Sequence, residues 1–111
     1  MAKWVDVGPA LDFPPGQAKT VRVERVPVAV CNIEGKHLAF ADVCPHAGMP
    51  LAQGELCGST IICPFHGYAY NVEDGRNVDF PDQEAPLRTF PVRQDENGTL
   101  QVNLQPDTPG T

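Results

Sequence analysis

Two short loops constrain this chain more than anything else in it: Cys44-Pro45-His46 and Cys63-Pro64-Phe65-His66, with sixteen residues between His46 and Cys63. Each offers one thiolate and one imidazole. Thiolate sulfur suits iron–sulfur clusters and zinc, and imidazole suits both metals. Zinc ligands generally come as C-x₂₋₄-C and H-x₃₋₅-H pairs. A C-x-H pair joined to a C-x₂-H pair fits that pattern poorly and suits two hairpin-like loops that bring four ligands to one metal group. Pro45 and Pro64 follow the cysteines and stiffen the turns by fixing φ. Gly48 and Gly67 come just after the histidines and permit positive φ and close backbone approach, so that nearby N–H groups can point at sulfur.

The rest of the chain reads as a small β scaffold. At 111 residues it is long enough for one domain with a modest core. Trp4 to Val7 is expected as a first strand, broken by Gly8 and Pro9. Lys19 to Val23 alternates with period two. Val26 to Ile33 is apolar on both faces, which predicts a more buried strand. Glu34-Gly35 is a tight turn into a return strand, Lys36 to Phe40. Cys57-Gly58-Ser59 reads as a hairpin turn. Thr60 to Cys63 leads into the second loop and Tyr68 to Val72 leaves it. Leu87 to Arg93 and Thr99 to Leu104 form a last hairpin around Asp95-Glu96-Asn97-Gly98. There is no amphipathic helix of useful length and no internal repeat. Many short strands at close spacing predict an all-β sandwich or barrel.

Composition narrows the function classes. The formal net charge of −6 argues against nucleic-acid binding and for partners with a basic docking face. No apolar run approaches the roughly 18 residues of a membrane span. The N-terminal MAKWVDVGPALDF shows no apolar signal-peptide core, so a cytoplasmic location is expected. Four cysteines in such a chain suggest metal ligands or free thiols before disulfides. Cys31, in the apolar strand, reads as a small buried hydrophobe and Cys57 as an inert thiol. His37 reads as a surface histidine, and Trp4, Phe40, Phe80 and Phe90 as core or half-core residues. No dinucleotide-binding glycine motif and no iron triad of two His and a carboxylate is evident.

The two-loop motif resembles that of the Rieske ferredoxins, small electron carriers of bacterial oxygenase systems. The chain is also similar to the small subunit of assimilatory NAD(P)H nitrite reductases. The likeness runs from the first strand to Leu104. It implies an antiparallel β base with an inserted two-loop cluster-binding part, about 42–86, in a single domain spanning 1–111. By position, Cys44 and Cys63 would ligate the buried iron of one [2Fe–2S] cluster, and His46 and His66 the outer iron. Two imidazoles in place of two thiolates leave the cluster less negative and raise its potential into the range of about −150 to +300 mV.

Departures from the high-potential branch of the family are informative. Where that branch carries a pair of disulfide-forming cysteines, this chain has Met49 and Phe65. Where it places a serine donor, this chain has Tyr68, whereas its tyrosine donor to a cysteine sulfur has a counterpart in Tyr70. A proline-containing loop that covers the cluster should fall at Pro81, Ala85 and Pro86. Phe65, between two ligands, is a candidate shield.

The resemblance implies a monomeric one-electron carrier. It would take electrons from an NAD(P)H-dependent flavin reductase and pass them to a terminal oxygenase of the aromatic-ring dioxygenase type. The protein would supply no catalytic site of its own. The alternatives are a permanent small subunit of a reductase, such as a nitrite reductase, or a redox-sensing module. Fewer donors to sulfur favour the oxidised cluster. The expected midpoint potential therefore lies in the lower part of the range, below about +100 mV. Voltammetry of the purified protein checks this, and a value well above that bound contradicts it.

Overall fold

In a computed structural model, residues 3–45, 48–65 and 67–104 are described, and they form three antiparallel sheets. In chain order the strands are β1 (Trp4–Pro9), β2 (Ala18–Val23), β3 (Val26–Ile33), β4 (Lys36–Ala41), β5 (Glu55–Cys57), β6 (Thr60–Ile62), β7 (Ala69–Asn71), β8 (Thr89–Phe90), β9 (Val92–Gln94) and β10 (Thr99–Asn103). The sheets have the orders β1-β10-β9, β2-β3-β4-β8 and β5-β6-β7. Among the described residues the helical content is one 3₁₀ turn, Ala10–Asp12. The expected all-β architecture is the one observed.

The four-stranded sheet is the middle layer. Side chains of a strand alternate between faces, and β3 is apolar on both. Val28 and Val30 join Ala39, Phe90, Leu100 and Val102 in one core, against the β1-β10-β9 sheet. Ala29 and Cys31 join Phe40, Ile61, Tyr70 and Leu87 in a second core, against the β5-β6-β7 sheet. Both cysteines of the two loops belong to this second core.

Several elements differ from the sequence reading. β1 runs on through Gly8 and Pro9, absorbing the irregularity as a register shift between Asp6 and Gly8 opposite β10. The expected strand 87–93 is two strands in two sheets. Thr89–Phe90 pairs with β4, and Val92–Gln94 pairs with β10. Pro91 stands at the switch, where proline has no N–H to give to a continuing ladder. Phe80, expected in or near the core, is 48% exposed. The β2–β3 hairpin turns on Glu24 and Arg25, both at positive φ (50° and 75°), without the glycine or asparagine that announces such a turn.

The segment between β4 and β8 carries both loops. It leaves the middle sheet after Ala41 and returns at Arg88, and the Ala41 N–H donates to the Arg88 carbonyl at 2.8 Å. Within it, Gly54 makes the closest backbone approach. A Cβ there would stand 1.9 Å from the Ile62 carbonyl oxygen and 3.1 Å from that of Leu51. Ile62 is the last residue of β6 before Cys63, so Gly54 sets how closely the first loop packs on the strand that delivers the second. Gly54→Ala is expected to force these backbones apart at a cost of about 1–3 kcal/mol. Thermal unfolding should show a midpoint lower by roughly 5 °C or more; an unchanged midpoint would contradict the close approach.

Candidate metal centre

The two cysteine loops are built on one hydrogen-bonding plan. In the first, the Cys44 N–H donates to the Met49 carbonyl at 2.8 Å, and the Gly48 N–H donates to the Cys44 carbonyl at 2.8 Å. In the second, the Cys63 N–H donates to the Tyr68 carbonyl at 2.7 Å, and the Gly67 N–H donates to the Cys63 carbonyl at 3.1 Å. Each loop is thus closed between the cysteine and the residues four and five further on. Gly48 and Gly67 both have φ of 70°, in the left-handed region that glycine enters without steric cost. The histidine falls two residues after the cysteine in one loop and three in the other. The cysteine and glycine frames nevertheless match.

The supports of the loops differ. The second is the connection of the β6–β7 hairpin. The first is an excursion from β4 and is tied down by Asp42, which is 4% exposed. Its Oδ1 accepts the N–H groups of Leu51 and Ala52, each at 2.7 Å, and its Oδ2 accepts the Thr20 hydroxyl at 2.7 Å. One carboxylate therefore joins the exit of β4, the far end of the first loop and β2. Sequence reasoning missed Asp42. The available signal was an aspartate one residue short of a loop, where side-chain oxygens commonly bond nearby backbone N–H groups.

Cys44 and Cys63 are each 1% exposed, and none of the four cysteines forms a disulfide. Cys44 Sγ lies 4.0 Å from Tyr70 Oη, and the Tyr70 ring is fully buried. The Tyr70 hydroxyl has its pKa pushed up to about 12, first by burial and then by Cys44. Here the Cys44 thiol donates to Tyr70 Oη; were Cys44 a thiolate, the protonated phenol would be the donor to sulfur. Tyr68, at the position of the serine donor in the high-potential branch, is half-buried and packs against the same core. His46 and His66, the expected imidazole ligands, lie outside the described residues. Among the described residues no group of three or more His, Cys, Asp or Glu side chains is gathered to hold a metal.

Two buried thiols at matched positions on loops of the same plan, one beside a buried tyrosine hydroxyl, are a donor set that fits an iron–sulfur cluster. The remaining thiols are set apart from it chemically. Burial pushes the Cys31 pKa up to about 11, with a backbone hydrogen bond at Leu38 opposing. Cys57 is exposed, and its thiol donates to Glu55 at 3.5 Å, a bond that raises its pKa. Both shifts run against the thiolate, the reactive form. His37 is half-buried rather than a free surface group: its Nε2 lies 3.2 Å from the Phe13 carbonyl oxygen and 3.3 Å from Asn32 Nδ2.

The residues flanking the cysteines are exposed and apolar. Met49 and Phe65, at the two positions that carry a disulfide in the high-potential branch, are 38% and 53% exposed, and Val43 is also exposed. The segment 80–86 turns back on itself, with the N–H groups of Gln83 and Glu84 donating to the Phe80 carbonyl.

Fold and loops together define a small β domain with a matched pair of buried cysteines. The Rieske [2Fe–2S] domain matches residues 3–91, and the chain belongs to that family, which implies one [2Fe–2S] cluster. The chain is 38% identical over 94 residues to ferredoxin CarAc of Metapseudomonas resinovorans, covering 84% of this chain and 87% of that one. It superposes with a TM-score of 0.84, at 36% identity, on a chain from a complex of reduced oxygenase and oxidised ferredoxin in carbazole 1,9a-dioxygenase, covering 95% and 96% of the two chains. The fold also matches a structure described as a putative NADH-dependent nitrite reductase small subunit from Mycobacterium tuberculosis, with a TM-score of 0.85 at 21% identity, over 96% and 99% of the chains.

Removing the Asp42 carboxylate should leave the Leu51 and Ala52 N–H groups without their acceptor. Each such loss costs about 1–3 kcal/mol. Asp42→Ala is expected to lose at least about 2 kcal/mol of stability by denaturant unfolding and to release iron faster. Asp42→Asn should stay near the parent, because its amide can accept from both N–H groups and donate to Thr20. Equal behaviour of the two variants would contradict the bracing role.

Proposed function

We propose that the chain is a one-electron carrier that takes an electron from an NAD(P)H-dependent flavin reductase and passes it to a terminal oxygenase of the aromatic-ring dioxygenase type. What carries this reading is the pair of buried cysteines on matched loops, in a chain similar over most of its length to oxygenase ferredoxins. Cys44 and Cys63 would hold one iron, and His46 and His66 the other, with Gly48, Gly67 and Tyr70 shaping the sulfur surroundings. When bound, the cluster supplies a one-electron couple, and the protein tunes and orients it.

The chain's own residues do the rest. Burial of Cys44 and Cys63 keeps water from the sulfur atoms. Exposed Val43, Met49 and Phe65, on and beside the same loops, offer an apolar contact for a partner at the end where electrons would enter and leave. The net charge of −6 would steer a basic partner to the chain. The segment 42–86 would act as the cluster-binding part of one domain, with 80–86 as its cover. Likeness to the nitrite reductase small subunit is a likeness of fold at 21% identity, and no feature of the site favours that reading over the carrier.

The test is electron paramagnetic resonance on dithionite-reduced protein purified without oxygen, with iron and sulfide counted on the same sample. A rhombic Rieske signal with iron and sulfide in equal amounts is expected. It should disappear in His46→Ala and His66→Ala. Zinc, or no metal, would remove the carrier reading.

A further inference from the structure

Tyr70 does not act on Cys44 alone. The residues after β7 fold back beside it: the Asn71 N–H donates to the Arg76 carbonyl and the Val78 N–H to the Ala69 carbonyl, each at 2.8 Å. This brings Asn77 directly opposite Tyr70 as an antiparallel bridge. Residues opposite each other in such a bridge present their side chains on the same face. Both side chains are buried, Tyr70 fully and Asn77 at 1% exposure.

The orientation of the Asn77 amide is fixed by its other half. Oδ1 accepts the N–H groups of Asp79 at 3.0 Å and Phe80 at 2.8 Å, so the oxygen faces the 78–80 turn and Nδ2 faces away from it. Exchanging the two atoms would set an NH₂ against two N–H donors. Nδ2 is left buried with no hydrogen-bond partner of its own. An orphaned buried donor is costly, and one retained in a fold calls for an explanation.

We infer that Asn77 is a positioning residue for the metal centre: its Nδ2–H occupies a lone pair of Tyr70 Oη and so aims the single Tyr70 O–H at Cys44 Sγ. A phenol hydroxyl has one hydrogen to give. With a donor on its oxygen, that hydrogen turns away from the amide, and the Cys44 sulfur, 4.0 Å off and a thiol donor to Oη in this structure, becomes the acceptor once it is a thiolate ligand. Asn77 thus ties the turn at 78–80, at the head of the 80–86 segment, to the donor that the cysteine sulfur receives. A hydrogen bond to sulfur favours the more negative, reduced cluster, so Asn77 raises the potential without touching the metal centre. This inference rests on the reading of Cys44 as a cluster ligand.

The test is a double-mutant cycle of Asn77→Leu and Tyr70→Phe, read as midpoint potential, with the Rieske signal and iron content followed in every variant. Asn77→Leu should shift the redox equilibrium three- to tenfold towards the oxidised form, about 30 to 60 mV for one electron. It should do so only where the Tyr70 hydroxyl is present. Asn77→Asp keeps an acceptor for the turn and cannot donate. Its added charge acts in both backgrounds, and any excess shift in the Tyr70 background reports the same coupling if the leucine variant does not fold. Equal shifts with and without the hydroxyl, or no shift, would overturn the inference while leaving the ligand reading intact. No Rieske signal in the unmodified protein would overturn both.

Discussion

The short pairing of β8 with β4 decides where the two cysteine loops can be. The chain leaves the middle sheet at Ala41 and comes back at Arg88, and the bonds that close this exit also put Phe90 and Phe40 on opposite faces of one sheet. Phe40 faces the core that holds Cys44 and Cys63. Phe90 faces the core shared with β10. The segment with the loops is therefore anchored at both ends on a sheet that is buried on both sides, and it inherits the stiffness of that sheet. A loop pair on a single-faced sheet would have one apolar layer beneath it; this one has two.

Much of this was legible in the residues. The run Val26–Cys31 is apolar in both registers, and only a strand covered on both faces needs that. The Glu34-Gly35 and Asp95–Gly98 turns were legible because each carries a glycine, Gly35 and Gly98, at a positive φ. The turn at Glu24 and Arg25 was not, because neither residue prefers positive φ; the pairing of Val23 with Val26 imposes it. The division of 87–93 at Pro91 was hidden because apolar alternation continues across it, and period-two patterning does not say which sheet a strand joins. Of the candidate site, the cysteines and Tyr70 were found from spacing and from the resemblance. Asp42 and Asn77 were not, since a buried polar residue and a surface one look the same in a sequence until the backbone groups they satisfy are known.

Asp42 bears on how the first loop is held with Met49 and Phe65 at the positions of a disulfide. A disulfide acts mainly by restricting the unfolded chain. Here closure rests on main-chain bonds from cysteine to residues four and five further on, and on Asp42 gathering the N–H groups at 51 and 52. The bond from the Leu51 N–H to Asp42 is buried, so breaking it leaves a donor and an acceptor without water to replace the partner. That cost is local and cooperative, and it replaces a covalent staple that a reducing environment would open.

The same logic separates the four thiols. Cys31 is buried in the strand that both cores share, and its raised pKa keeps it a hydrophobe. Cys57 is at a hairpin tip beside a carboxylate that disfavours its thiolate. Cys44 and Cys63 alone sit at the mouths of loops whose closure leaves both side chains inside one core, next to a phenol that remains protonated. A chain with four cysteines can hold a cluster without competing disulfides when two of them are made chemically quiet by their surroundings. The other two are placed by backbone geometry, buried in one core, with the Tyr70 hydroxyl 4.0 Å from the Cys44 sulfur.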